Sequence, residues 1–270
     1  MTEELAPGIR VASPSAMATA TTTEPYPVTR RILPRRISRA LEVARTHIAM
    51  FGYVSAARAA LSRLIAPKYG VERFDSAYGV DTRPWSLADS RIPAETMGEA
   101  IHYEPAHTGV LHHVFRSLPF RHEDYHLVDL GSGKGRTLLV GSEYPFEAIT
   151  GVELSERSAQ IARDNLARTS HRAQTKCTAV EVHCENAVNF TVPQGNLLVT
   201  MYNPFFGQTF QQCVEHLHEA ALAQPERKVW LAYINPWLGE STLEQSGYFQ
   251  RVQEFRPIPR NWTWSLWQHV

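Results

Sequence analysis

The chain has 270 residues with 27 Lys+Arg, 27 Asp+Glu, 43% hydrophobic residues and 3 Cys. That composition can bury a core in one large domain or two small ones, and it excludes collagen-like repetition and wholesale disorder. Three cysteines cannot build a disulfide framework in a chain this long, and Cys177, Cys184 and Cys213 lack the close pairing of a zinc site. A reducing compartment, the cytoplasm, is expected. The neutral total hides an asymmetry, since residues 1–70 carry 10 basic and 4 acidic side chains while residues 71–270 carry 17 and 23. The basic front could touch nucleic acid or anionic lipid, or lie against the acidic remainder of its own chain.

Residues 1–27 are Pro, Ala, Thr and Ser with few bulky apolar side chains, so no burial offsets the entropy of ordering them and a disordered leader is expected. It lacks the basic start and apolar run of a signal peptide. Residues 28–100 read as a basic helical extension followed by an irregular cap or lid. Within it Ile37, Leu41, Ala44, Ile48, Phe51, Val54, Ala57, Leu61 and Leu64 fall three or four apart, a helical spacing. The apolar stretch Ile48–Ala57 is far short of the ~20 residues that span a bilayer, so the alternatives are packing on the domain or peripheral membrane contact through residues 30–65. Residues 66–100 mix Pro, Gly, Asp and aromatic residues too irregularly for one element.

Residues 101–270 alternate. β-rich runs at Tyr125–Leu130, Ala148–Glu153, Thr178–His183, Leu197–Tyr202 and Lys228–Ile234 are separated by helical stretches at Lys134–Glu143, Glu156–Arg168 and Gln208–Ala223. This predicts an α/β domain with a doubly wound, mostly parallel sheet. Tyr248–Phe255 and Trp262–His269 are joined only by the turn-rich RPIPRN, too short for a crossover helix, which closes a seven-stranded sheet with an antiparallel hairpin.

The stretch HLVDLGSGKGRTLL ends an apolar strand at Asp129, turns through Gly131, Gly133 and Gly135, and opens a helix. Glycine permits the unusual dihedrals and lets backbone amides and a helix N-terminus come close to a ligand. A dinucleotide fingerprint needs a glycine where Arg136 stands, and no G-K-[ST] follows Lys134, so neither a G-x-G-x-x-G nor a Walker loop fits. Glu153, followed by Leu154 and the N-capping Ser155, closes the next strand, where a carboxylate can accept both hydroxyls of a ribose.

With these motifs the region from about Tyr103 to Val270 resembles the class I S-adenosylmethionine-dependent methyltransferases. The resemblance implies S-adenosyl-L-methionine as cofactor, the glycine loop beneath its amino-acid end, Asp129 near its charged end and Glu153 with Leu154 at its ribose. It also implies that Asn186-Ala187, in place of an Asp-Ala pair, reads the adenine amino group. After the fourth parallel strand, Asn203-Pro204-Phe205-Phe206-Gly207 is similar to the [ND]-P-P-[FY] motif of amino-group methyltransferases, with Phe205 replacing the second proline. It is also similar to the N-x-x-F-G run of the non-SET histone-core lysine methyltransferases, of which Tyr103-Glu104-Pro105 echoes a second segment loosely. The resemblance implies Asn203 and Pro204 as positioning groups for an attacking nitrogen, with Phe205, Phe206 and Tyr103 as walls. Transfer to oxygen stays open, since that proline is missing.

Asn235-Pro236-Trp237 repeats the Asn-Pro-aromatic pattern one strand later, and reads either as a second wall of the substrate pocket or as a Pro-terminated strand with an anchoring Trp. The twelve histidines match no metal pattern, and no metal is expected. Trp262, Trp264 and Trp267 read as hairpin packing. Because the alternating region is acidic, a small molecule or a protein side chain is favoured over nucleic acid as methyl acceptor. A non-catalytic cofactor-binding module, contacting nucleic acid or membrane through the basic front, is the competing function.

Overall fold

The structure, a computed structural model, describes residues 71–85, 92, 99–101, 103–236, 238–256 and 262–270. The expected leader, the helical spacing of residues 37–64 and the membrane contact through residues 30–65 lie outside the described residues. Among the described residues, seven strands, β1 (His126–Leu130), β2 (Ala148–Glu153), β3 (Val180–Cys184), β4 (Leu197–Met201), β5 (Val229–Ile234), β6 (Phe249–Phe255) and β7 (Trp264–His269), alternate with or follow six helices. The helices are α1 (Val71–Tyr78), α2 (Thr108–Arg116), α3 (Arg136–Gly141), α4 (Glu156–Thr169), α5 (Gly207–Leu222) and α6 (Glu240–Ser246).

The strands form one sheet in the order β3-β2-β1-β4-β5-β7-β6. β1 pairs in parallel with both β2 and β4, while β7 runs antiparallel to both β5 and β6. This is the doubly wound sheet with a closing hairpin that the alternation predicts. β1, β2, β4 and β5 are near-continuous apolar runs because both of their faces are covered. Successive residues therefore enter opposite cores. Leu127, Ile149, Leu198 and Trp230 join the core under α1 to α4, and Val128, Val152, Val199 and Leu231 join the core under α5 and α6. Burying each such side chain contributes about 1.5–3 kcal/mol.

Three helices escape the sequence reading. α1 lies in the stretch read as too irregular for one element. At eight residues it is too short to show a period, and it is held by Phe74, which enters the first core and stacks on Tyr78 with ring centroids 4.3 Å apart. α2 buries Val110, Leu111, Val114 and Phe115, a face interrupted in the sequence by His112-His113. The two histidines diverge as adjacent helical residues must, His112 to the Tyr144 hydroxyl at 2.9 Å and His113 to Trp264, whose indole N–H it accepts at 3.0 Å. α6 is a short helix that sinks Leu243 into the second core. Trp264 and Trp267 are fully buried between sheet and helices, as hairpin packing requires.

From β1 the chain winds outward to β2 and β3, then returns to build β4 and β5 on the other side. The crevice beyond the carboxyl ends of β1 and β4 is thus a topological switch point, where doubly wound sheets receive ligands.

Candidate active site

A cleft opens at that crevice, walled by the ends of β1, β2 and β4 and by residues of 85–106. Its floor begins with the glycine turn. Gly131, Gly133 and Gly135 have φ of 77°, 54° and 83°. A Cβ on Gly131 would stand 2.1 Å from Pro204 Cβ, and one on Gly133 would stand 2.1 Å from Tyr103 Cε2. Both contacts and both dihedrals demand glycine. Gly135 lies farther back, as the residue before α3, with Ala162 of α4 against it.

The loop amides were expected to face a ligand, and here the structure differs. Gly131 and Ser132 donate to the Val152 carbonyl at 2.8 and 3.0 Å, Gly133 donates to Glu153 Oε2 at 2.7 Å, and Gly135 donates to the Ser132 carbonyl. Parallel pairing brings the end of β2 alongside the turn, and its acceptors take these donors first. Ser132 turns its side chain under β2, where a Cβ on Gly151 would stand 2.8 Å from Ser132 Oγ, and that buried hydroxyl has no partner among the described residues.

Asp129 and Glu153 end the adjacent strands β1 and β2, and both line the cleft. Burial, reinforced by the Glu153 charge, pushes the Asp129 carboxyl up to about 6 against the opposing bonds from Thr200 and Thr137. Thr200 Oγ1 donates to Asp129 Oδ1 at 2.7 Å. Burial also raises Glu153, opposed by backbone N–H groups of Ser155, Gly133 and Leu154. Arg136 lines the same cleft but is already paired with Asp75 at 3.3 Å. Two buried carboxylates sharing one cleft favour a positively charged ligand, which would let both ionise.

Leu154, Asn186 and Ala187 continue the wall from β2 and β3. Asn186 Oδ1, the atom expected to meet an adenine amino group, already accepts the Val188 amide at 3.1 Å. Its second lone pair is what it can offer a base.

At the end of β4, Asn203 takes a left-handed φ of 45°, a conformation Asn tolerates better than most side chains. Its amide is fixed at both ends, because Oδ1 accepts the Tyr233 hydroxyl at 2.8 Å and Nδ2 donates to the Asn235 carbonyl. Pro204 and Phe205 line the cleft beside it, while Phe206 is 36% exposed and stands outside the walls. The backbone carbonyl of Pro204, the second group able to hold a nitrogen, accepts the Ile101 amide at 3.0 Å. Asn235, with φ of 52°, supports Asn203 from behind and does not line the cleft, so the two strand-end motifs have different roles. Trp237 lies outside the described residues.

Sequence reasoning offered a cap or lid before residue 101 but none of the contacts that attach it. Ala100 bridges Phe205 as a single antiparallel pair, and Glu99 accepts from the amides of Gln208 and Thr209 at 3.0 and 2.7 Å, capping α5 from more than a hundred residues away. Tyr103, an expected wall residue, lies over the loop and its hydroxyl donates to the Thr82 carbonyl at 3.3 Å. Burial raises its phenol far above the ordinary range. Arg136, the residue that breaks the dinucleotide fingerprint, is 1% exposed. It reaches Thr82 Oγ1 at 2.8 Å through Nε, as well as Asp75, and lies 5.0 Å from the Phe74 ring. Its departure from glycine was the available signal.

The fold and cleft define a doubly wound α/β protein with an acidic ligand crevice at its switch point. No protein-family model matches the chain, and a comparison with curated proteins finds no match. Among solved structures it is similar to the ribosomal protein L11 methylase from Lactobacillus delbrueckii subsp. bulgaricus, at 13% identity and TM-score 0.44, over 64% of this chain and 82% of that one. It is also similar to an RNA methyltransferase from Salinibacter ruber in complex with S-adenosyl-L-homocysteine, at 15% identity and TM-score 0.43, over 62% and 92%. A third similar structure is an N6-adenine-specific DNA methylase, so predicted, from Listeria monocytogenes, at 12% and 0.45, over 65% and 53%. At such values the likeness concerns the course of the chain and says nothing of ligands.

Proposed function

We propose that this chain is an S-adenosylmethionine-dependent methyltransferase acting on an amine or amide nitrogen of a small molecule or a protein side chain. The observation that carries the reading is the pair of buried carboxylates, Asp129 and Glu153, at a switch-point crevice whose opposite lip is Asn203-Pro204. The residues fit the cofactor's chemistry. Glu153 offers its remaining lone pairs to ribose hydroxyls, and Asp129 balances positive charge. When bound, S-adenosylmethionine supplies a methyl group on a positively charged sulfur.

The protein's own work is alignment and exclusion of water. Asn203, held by Tyr233 and Asn235, presents a preset amide to a neutral acceptor nitrogen and turns its lone pair forward, which needs no dedicated base. Phe205, Tyr103 and Tyr202 shut the acceptor side. Isothermal titration with S-adenosylmethionine tests cofactor binding, and absence of heat at micromolar protein would end the reading. Transfer of radiolabelled methyl into fractions of a cell extract tests catalysis; binding without transfer would favour a non-catalytic module. Asn203→Ala is expected to lower turnover about 100-fold while cofactor affinity stays within about twofold, and equal loss of both would remove its assigned role.

A further inference from the structure

The lip of the cleft that bears Asn203 and Pro204 hangs between two left-handed residues, Asn203 at φ of 45° and Gly207 at φ of 61°. Asn203 is anchored from behind, by Tyr233 and Asn235. The three residues that follow it take their backbone partners from the roof. Ile101 donates to the Pro204 carbonyl at 3.0 Å, Phe206 donates to the Glu99 carbonyl at 3.1 Å, and Ala100 pairs with Phe205 between those two bonds. A two-stranded ribbon this short is marginal in water, so it needs an anchor of its own.

The Glu99 side chain is that anchor. Its carboxylate accepts the amides of Gln208 and Thr209 at 3.0 and 2.7 Å, and the Thr209 hydroxyl as well. It thus satisfies N–H groups that the first turn of α5 leaves open, at the positive end of that helix. These bonds, the Thr209 hydroxyl foremost, hold the Glu99 carboxyl below the ordinary glutamate range. The adjoining glycine is fitted to it, because a Cβ on Gly207 would stand 2.7 Å from Glu99 Oε1. One residue therefore grips α5 with its side chain and the lip with its carbonyl. This tie is on the β4 side of the cleft, whereas Glu153 closes β2.

We propose that Glu99 is a positioning residue for methyl transfer: acting through the 204–206 turn, it fixes where the acceptor stands, and it takes no part in holding the cofactor. The proposal rests on the methyltransferase reading. Transfer needs the attacking atom in line with the methyl, and a lip displaced by about 1 Å can cost about 100-fold in rate. The test uses the full chain, tritium-labelled S-adenosylmethionine and the cell-extract fraction that the wild type labels. Glu99→Ala lowers the rate at saturating S-adenosylmethionine about 10- to 100-fold, while KM for S-adenosylmethionine and the titrated affinity for S-adenosylhomocysteine stay within about twofold. Glu99→Gln, which keeps a carbonyl oxygen for the two amides, recovers most of the rate. In hydrogen exchange the Ile101 and Phe206 amides of Glu99→Ala exchange faster than in the wild type, and the Gly133 amide, bonded to Glu153, keeps its protection. Wild-type rates in Glu99→Ala, or unchanged exchange at Ile101 and Phe206, overturn the proposal. A rate loss matched by an equal loss of S-adenosylhomocysteine affinity also overturns it and leaves the cofactor reading standing. Glu99→Gln as slow as Glu99→Ala assigns the effect to charge and removes the positioning role. A wild type that labels no fraction ends the catalytic reading, and this proposal with it.

Discussion

The floor and the roof of the cleft are built on different principles. The floor, from Asp129 through the glycine turn to Glu153 and Ser155, is made of residues close in sequence, tied by bonds of 2.7 to 3.0 Å from its own backbone amides to the Val152 carbonyl and the Glu153 carboxylate. The roof, built from the described residues between Asp75 and Ala106, is held on by side chains reaching across 30 to 61 positions, such as Arg136 to Ala106, Thr82 and Asp75. A floor of this kind survives the loss of one side chain, because the sheet still shapes it. The roof depends on a few buried polar contacts, and each carries much of the attachment.

The comparison breaks first at Arg136. Arg136→Met leaves Asp75 buried without its cation, and the fold is expected to lose about 3–5 kcal/mol in urea unfolding. Adding Asp75→Asn should recover part of that loss, since the uncompensated charge is gone; a strictly additive double variant would show that the pair is not what holds the roof. The floor answers differently. Glu153→Gln keeps the packing and one of the two carboxylate acceptors, so the fold should lose about 1–3 kcal/mol, less than at Arg136, while S-adenosylhomocysteine affinity falls about 10- to 100-fold by titration, the range for a charge-assisted bond pair. A stability loss as large as that of Arg136→Met would mean that the carboxylate is structural.

The smallest effect sharpens the electrostatic side of the comparison. Asp129 titrates near 6 in the folded chain against an ordinary value of 3.8, so the native state holds a proton there that the unfolded chain releases sooner. The stability this group contributes is full below pH ~4 and is lost as pH rises through ~6. Affinity for a cationic ligand moves the other way, falling by up to about tenfold per pH unit below ~6, because the proton must leave first. Asp129→Asn should flatten that slope in titrations between pH 5 and 8.

The same division explains what could be read from the amino acids alone. The strands were legible to within two residues because parallel strands covered on both faces must be unbroken apolar runs. The floor was legible because its glycines, Asp129 and Glu153 sit at fixed offsets from those strands. The attachment of the roof was not, since Glu99 capping α5 or Ile101 taking the Pro204 carbonyl leaves no periodic trace. The repeated Asn-Pro-aromatic run shows the limit within one motif. Asn203 and Asn235 share a left-handed backbone, yet only the neighbouring strand order makes one a wall and the other its brace.

Arg136 also limits how this sheet can be passed between proteins. Its guanidinium has its counter-charge on α1, upstream of every strand, so the alternating half cut away from residues 71–85 would carry an orphan cation in its interior. The strand-and-helix region is not a cassette. It can be inherited, swapped or trimmed only together with the stretch of chain that neutralises it.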